Sequence, residues 1–159
     1  MRRLLIVLVV LAALGAGTTL AVAARGGGGG DSRGAANVQY DDGDDGCTPG
    51  FWKNHTKVWS GFSPGDSFNS VFGVNYDASL TLEGALNLGG GGLAALARHA
   101  SAALLNAAHD DVGYGLTTDE IIALVREAFG ANDPEPAKDV LDRLNNAGCS
   151  IDAQGRPIG

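Results

Sequence analysis

"LAALARHASAALLNAAH", residues 93–109, is the sequence from which the central element of the fold is predicted. Its apolar residues recur at spacings of three and four, which is the period of an α-helix with one buried face. Its many alanines add high intrinsic helix propensity, and their small side chains allow neighbouring elements to approach closely. We therefore predict a central helix whose buried face comprises Leu93, Leu96, Ala97, Ala100, Ala103, Leu104 and Ala107.

Helical patterns also flank this stretch. Upstream, "LTLEGALNL" (residues 80–88) places Leu82, Ala85 and Leu86 on one face behind a cap at Thr81, and the four glycines 89–92 end it. This glycine run follows a helix rather than a strand and lacks a G-K-[ST] ending, so it predicts a helix connection and not a phosphate cradle.

Two further helices are predicted downstream. Thr117 with Glu120 three residues later forms a capping box, and Gly130 is expected to end that helix. Asp133 followed by Pro134 predicts the start of a last helix running to Gly148. The sequence thus predicts an all-α fold, a small bundle of about four helices.

An aromatic-rich segment precedes the bundle, "FWKNHTKVWSGFSPGDSFNSVFGVNY", residues 51–76. Trp52, His55 and Trp59 stand at i, i+3 and i+7, so one short helix could present them on a single face. Aromatic residues at helical spacing usually belong to a core. We expect this segment to complete the core of the bundle, with Trp52 buried and Lys53 and Asn54 exposed.

The two cysteines, Cys47 and Cys149, bracket these patterns. A pair with no third thiol in an exported protein predicts one disulfide. Such a bond would close a loop of 102 residues, counted as the difference between the two residue numbers. The chain-entropy treatment assigns a loop of that length roughly 4 to 5 kcal/mol. The predicted domain is 47–149, followed by a C-terminal tail, 150–159.

The chain begins with a basic head and a long apolar run, which predict a signal peptide over residues 1–24 with an A-x-A cleavage site at 21–23. An uncleaved membrane anchor is the alternative, because the run is about long enough to span a bilayer. Residues 25–46, rich in Gly and Asp, predict a flexible linker. Export implies a secreted or cell-surface location, the periplasm included, with no membrane span after cleavage.

The chain is acidic, with a formal charge of -7 that becomes -9 once Arg2 and Arg3 leave with the signal peptide. Nucleic-acid binding requires clustered Lys and Arg, which are absent, so we exclude it. The block "DDGDDG" (41–46) has oxygen ligands that Ca²⁺ could use, although it lacks the full loop pattern. A solvated acidic spacer and a weak calcium site both stay open.

The residues "CTPGFWKNH" (47–55) and the central helix together resemble a group of bacterial exported proteins. Those proteins carry C-T-P-G-[FY]-W-K-N-H followed by an L-x-x-H-x-x-x-A-x-L-N-type helix. The likeness spans Cys47 to Cys149, and the matching positions are Trp52, Lys53, Asn54, His55, His99 and Asn106. The resemblance implies export and the limits of the folded domain, and it implies no activity.

Three functions remain compatible with these observations. The first is a non-catalytic module that binds an extracellular ligand or surface component. The second is a metal-dependent hydrolase, if His55 and His99 converge with a carboxylate to hold Zn²⁺. The third is a structural component of an extracellular assembly. We favour the first, because packing also explains both histidines and because no H-E-x-x-H or G-x-S-x-G motif occurs. His109 is expected at a helix C-terminus.

Overall fold

A computed structural model describes residues 45–159. Within this range the protein is all-α, as predicted, with six α-helices, one 3₁₀ turn and isolated β-bridges but no strand. The elements in chain order are α1 (Pro49–Asn54), a 3₁₀ turn (Thr56–Val58), α2 (Phe68–Phe72), α3 (Leu82–Leu86), α4 (Gly92–Ala108), α5 (Thr118–Ala131) and α6 (Glu135–Asn145).

The central helix is α4, the longest element at 17 residues. It packs against α1, α3, α5 and α6, and eleven of its residues are buried. Alanines make up much of this surface, which lets α3, α5 and α6 surround one helix at close range. The predicted role of residues 93–109 as the centre of the fold is confirmed.

The predicted N-terminal caps of α3 and α5 are present. The Thr81 hydroxyl accepts a hydrogen bond from the Gly84 N–H at 3.0 Å. At α5 the capping box is complete, because the Thr117 hydroxyl accepts from the Glu120 N–H while the Glu120 carboxylate accepts from the Thr117 N–H. These reciprocal bonds satisfy N–H groups that a helix start leaves without intrahelical partners.

Three predicted helix limits are wrong. Helix α5 continues through Gly130, and Asn132 ends it in the left-handed conformation, with φ of 52°. Asn adopts this conformation more readily than most residues, so it replaces the expected glycine. The Asp133 N–H then donates to the Ala128 carbonyl as part of the same ending, and α6 begins at Glu135 without a side-chain cap. Helix α6 stops at Asn145, short of Gly148.

The single helix expected across Trp52, His55 and Trp59 is also absent. Helix α1 ends at Asn54, and His55 leaves helical geometry with φ of -127° and ψ of 46°. A 3₁₀ turn follows. The two tryptophans are instead joined by a hydrogen bond from the Trp59 Nε1–H to the Trp52 carbonyl at 3.0 Å. This bond satisfies one of the carbonyl groups at the C-terminal end of α1.

The buried side chains form two clusters. The larger one lies among α2 to α6 and includes Phe68 and Phe72. The smaller one joins the N-terminal segment to α4 and the C-terminal residues; its members are Cys47, Trp52, Leu86, Ala102, Leu105, Val112 and Ile151. The aromatic-rich segment therefore completes the core, as its composition predicted, since Trp52, Phe68 and Phe72 are fully buried.

The chain ends meet beside the disulfide. Cys47 and Cys149 are bonded, as predicted. Next to them, the Gly46 N–H donates to the Gly148 carbonyl at 2.6 Å. Gly46 lies so close to the Leu144 carbonyl that a Cβ would overlap it, so this position requires glycine. Gly46 thus belongs to the folded domain rather than to the linker.

Residues 150–159, expected to be a tail, fold back onto the domain. Ile151 is 1% exposed within the smaller core cluster, and the Ile158 N–H donates to the Ser150 carbonyl. An Asp152–Arg156 ion pair closes the turn, and its hydrogen bonds lower the pKa of Asp152 to about 2. Because Ile151 fills part of the core, the domain continues beyond Cys149.

The predicted signal peptide, the linker up to residue 44 and most of the acidic block lie outside the described residues. Between residues 45 and 159, no helix is both long enough and apolar enough to cross a membrane.

Candidate binding surface

A buried asparagine on α4, Asn106, positions the "CTPGFWKNH" motif. Its Oδ1 accepts hydrogen bonds from the Cys47 N–H at 2.8 Å and from the Trp52 Nε1–H at 2.9 Å. Its Nδ2 donates to the Cys47 carbonyl and to the Asn145 Oδ1, both at 2.9 Å. The amide therefore makes four hydrogen bonds, the number a side-chain amide can make. A fully satisfied buried amide fixes the geometry of its partners.

Asn145 extends this network to α6. Its Nδ2 donates to the His99 carbonyl at 2.9 Å, and its Oδ1 also accepts from the Tyr114 hydroxyl at 2.9 Å. Burial raises the pKa of Tyr114, which keeps this hydroxyl a donor. Sequence reasoning missed Asn145, although it stands four residues after the buried Leu141 and so on the buried face of α6.

Helix α1 is held rigidly by this network and by its own caps. The Thr48 hydroxyl accepts from the Phe51 N–H at 3.2 Å, and Pro49 occupies the start of the helix. Trp52 is fully buried, while Lys53 and Asn54 are exposed, as the sequence predicted. The fixed Trp52 determines which residues of α1 face outward.

The outward side chains are Phe51, Lys53, Asn54, His55 and Lys57, and we call them the α1 surface. The rings of Phe51 and His55 stack, with centroids 4.5 Å apart and planes inclined by 31°. The His55 Nδ1 lies 2.7 Å from the Phe51 carbonyl, which can only accept, so Nδ1 carries the proton. In the neutral ring, Nε2 then presents a lone pair.

The Asn54 amide is oriented in a similar way. Its Nδ2 donates to the Gly50 carbonyl at 2.8 Å, while its Oδ1 accepts no hydrogen bond from residues 45–159. The α1 surface therefore includes two acceptor atoms, the Asn54 Oδ1 and the His55 Nε2.

The charge of the α1 surface is opposite to that of the whole protein. Residues 46–65 contain no Asp or Glu but hold Lys53 and Lys57, two of the three lysines of the chain. In the described part of the chain these two lysines and Arg143 form no ion pair or hydrogen bond, whereas Lys138 and Arg156 pair with carboxylates. The side chains of the α1 surface therefore carry two lysine charges and no carboxylate, in a protein of formal charge -7.

The candidate metal ligands His55 and His99 have different neighbours. His55 stacks on Phe51, whereas the His99 ring points to α6, with Nδ1 3.6 Å from the Asp142 Oδ1. The His99 Nδ1 is buried without a hydrogen-bond partner among residues 45–159. Burial lowers the pKa of His99, and Asp142 opposes that effect. Trp52 contacts α4 through its hydrogen bond to Asn106, which lies about two helical turns after His99.

His109 caps the C-terminus of α4, where the sequence placed it. Its Nδ1 accepts from the Asp111 N–H at 3.3 Å, and its ring lies 6.0 Å from that of Trp52. Across residues 45–159, no group of three or more His, Cys, Asp or Glu side chains is arranged to hold a metal ion. The calcium hypothesis concerns the acidic block, most of which lies outside that range.

No protein family, no curated protein and no solved structure matches the chain.

Proposed function

We propose that the protein is an exported, non-catalytic binding module that contacts its ligand through the α1 surface. One observation carries this proposal: a short helix anchored by Asn106 and the disulfide carries exposed, unpaired lysines and a stacked Phe51–His55 pair in an acidic protein. Aromatic side chains are enriched at recognition surfaces, and a group of like charges can steer a ligand of opposite charge.

The way in which α1 is fixed supports binding. The disulfide, the Asn106 amide and the Thr48 cap hold six residues that would not form a stable helix alone. A surface ordered before the ligand arrives loses less conformational entropy on association, which favours affinity.

The location proposed here is the cell exterior. The N-terminal pattern predicts export, and a disulfide is compatible with an oxidising extracellular compartment. The hydrolase alternative requires His55 and His99 to share a metal ion. The observed contacts do not support the hydrolase alternative, because the His55 ring packs on Phe51 of α1 and the His99 ring points to Asp142 of α6.

The test is retention of the mature chain by the washed, insoluble cell-surface fraction of the producing cells. The variant Lys53→Gln/Lys57→Gln should be retained less, because it removes both unpaired cations of the α1 surface. Arg143→Glu is a matched control on α6, since it also lowers the net charge by two and also changes an exposed, unpaired cation. Equal retention of both variants and the parent chain would show that the α1 surface is not the binding site.

A further inference from the structure

We infer that Cys149 is a site of reversible S-thiolation: a small external thiol opens the disulfide of the folded protein by attacking the Cys149 sulfur, and Cys47 is released as a buried thiol. This inference does not depend on the proposed function, because it concerns the covalent chemistry at the ends of the domain. It follows from the unequal burial of the two cysteines, the exposed chain before Cys149 and the separate anchoring of Cys47.

The two halves of the disulfide differ in their access to solvent. Cys47 is 0% exposed and belongs to the smaller core cluster, whereas Cys149 is partly exposed and packs at the edge of that cluster. A thiolate must reach the sulfur that it attacks, so the course of exchange depends on which sulfur is accessible. The Cys47 sulfur is closed to an external thiol while the core is intact. Exchange in the folded protein must therefore begin at Cys149.

The chain on the N-terminal side of Cys149 is exposed as well. Residues 146–148, which follow α6, are all exposed, and a Cβ built on Gly148 would meet no atom within 4 Å. On the C-terminal side Ile151 packs in the core, and its carbonyl oxygen lies 3.5 Å from the Cys149 Sγ. We therefore expect the thiol to approach Cys149 from the side of residues 146–148.

Cys47 is held in place by bonds that do not involve its sulfur. Its N–H donates to the Asn106 Oδ1 at 2.8 Å, and its carbonyl accepts from the Asn106 Nδ2 at 2.9 Å. The neighbouring Gly46 N–H donates to the Gly148 carbonyl at 2.6 Å, which links the two chain segments beside the disulfide. The Cys47 thiol should therefore stay close to Cys149 after exchange, so that the disulfide can form again.

The exchange conserves the number of S–S bonds. The external thiol loses its proton to solvent, and its thiolate forms a bond to the Cys149 Sγ while the bond between Cys149 and Cys47 breaks. The electron pair of the broken bond leaves with the Cys47 sulfur, which then takes up a proton. In the reverse step the Cys47 thiolate attacks the Cys149 sulfur and expels the external thiolate. Neither direction consumes an oxidant or a reductant beyond the thiol itself.

The test is to treat the folded mature chain with 2-mercaptoethanol at about pH 8, where part of a free thiol is ionised. Early samples are quenched with acid and digested with pepsin, and mass spectrometry locates the mixed disulfide. We expect it on Cys149 at least about tenfold more often than on Cys47, because only the Cys149 sulfur is accessible. The same treatment of the chain unfolded in guanidinium chloride is the control, and there the two isomers should form in comparable amounts.

Two single-cysteine variants test access to each sulfur separately. Cys47→Ala leaves the Cys149 thiol, and Cys149→Ala leaves the Cys47 thiol. A water-soluble aromatic disulfide reagent should modify the Cys149 thiol at least about tenfold faster, and circular dichroism should show the same helix content in both variants.

Three results on the folded parent chain would overturn the inference: comparable amounts of the two mixed disulfides, modification of Cys47 alone, or no mixed disulfide at all. The peptide map of the parent chain decides the question even if one of the single-cysteine variants does not fold. Retention of the chain by the cell-surface fraction tests the proposed function independently of any of these results.

Discussion

At the scale of single residues, Asn106 and Trp52 determine how the N-terminal motif meets the bundle. The Trp52 ring is fully buried, and its one polar atom donates to Asn106. If any of its partners were removed, the buried Asn106 amide would be left with an unsatisfied hydrogen-bonding group. Core packing and the orientation of the exposed side chains of α1 therefore depend on adjacent residues of one short helix.

This arrangement predicts different costs for neighbouring substitutions. Trp52→Ala should lower the free energy of unfolding by about 3 to 5 kcal/mol, because it leaves a cavity and frees the Asn106 Oδ1 of one donor. Lys53→Ala should change it by less than about 0.5 kcal/mol, as is usual for exposed positions. Urea denaturation of both variants measures the difference. Similar stabilities would contradict the burial of Trp52.

A second residue-scale prediction concerns the glycines on either side of Cys47. In Gly46→Ala the new methyl group would meet the Leu144 carbonyl, and this backbone contact cannot be relieved by a side-chain rotation. We expect a loss of about 3 kcal/mol, at the upper end of the usual range for overpacking. Gly50→Ala is the control, since its Cβ would meet only the Thr48 Oγ1 at 3.5 Å, an ordinary van der Waals contact, and should stabilise α1 by about 0.5 kcal/mol. A melting temperature of Gly46→Ala higher than that of the parent chain would contradict the predicted loss of stability.

At the scale of elements, the helices of the bundle follow from the sequence better than their ends do. Apolar spacing placed α3, α4, α5 and α6, and the Thr81 and Thr117 caps are read from a few adjacent residues. The positions of the helix ends depend on which of several neighbouring residues forms the cap. Asn132 ends α5 and engages Asp133, which removes Asp133 from its predicted role as the cap of α6. The local sequence pattern does not show which of these competing caps will form.

The α4–α6 contact contains a group that should make stability depend on pH. Burial lowers the pKa of His99 below the ordinary histidine value of about 6.5, so the folded protein binds fewer protons than the unfolded chain between these two pKa values. Unfolding free energy should therefore fall as pH is lowered below about 6.5 and through the folded pKa, and rise in the opposite direction. Arg98 and Lys138 disfavour the charged ring, and Asp142 favours it.

Two variants check this assignment between about pH 5 and 7, where most carboxylates stay ionised. His99→Gln removes the titrating ring and should flatten the pH dependence. Asp142→Asn removes the opposing carboxylate, so the pKa of His99 should fall further and the loss of stability should continue to lower pH. Denaturant unfolding at several pH values measures both. An unchanged pH profile in His99→Gln would assign the effect to other groups.

At the scale of the whole molecule, the sequence predicted the all-α class and the disulfide, because both are recorded in residue types and spacing. It did not predict how the site is assembled. Asn106 joins Cys47 and Trp52 across more than 50 residues of chain, and Asn145 joins α6 to the same point. Such long-range pairs leave no local pattern. The different neighbours of His55 and His99 are of the same kind, since only the fold decides which side chains surround each histidine.

The Cys47–Cys149 disulfide, which anchors the segment that carries α1, also stabilises the whole domain. It joins residues 102 positions apart and closes the domain beside the Gly46–Gly148 pair, with Ile151 packed next to it. Cross-linking a loop of that length restricts the unfolded chain and contributes about 4 to 5 kcal/mol in the chain-entropy treatment. Since about 1 kcal/mol shifts the melting temperature of a small domain by roughly 4 to 8 °C, reduction should lower it by roughly 15 °C or more.

The measurement is calorimetry of the mature chain with and without reductant, with thiol titration to confirm the redox state. Cys47→Ala/Cys149→Ala should reproduce the melting temperature of the reduced chain, and adding reductant to this variant should change nothing further. The reduced domain should also bind less tightly through the α1 surface below its melting temperature, because Cys47 anchors the segment that carries α1. An oxidised and a fully reduced chain that melt at the same temperature would show that Asn106 and the core hold the ends together without the disulfide.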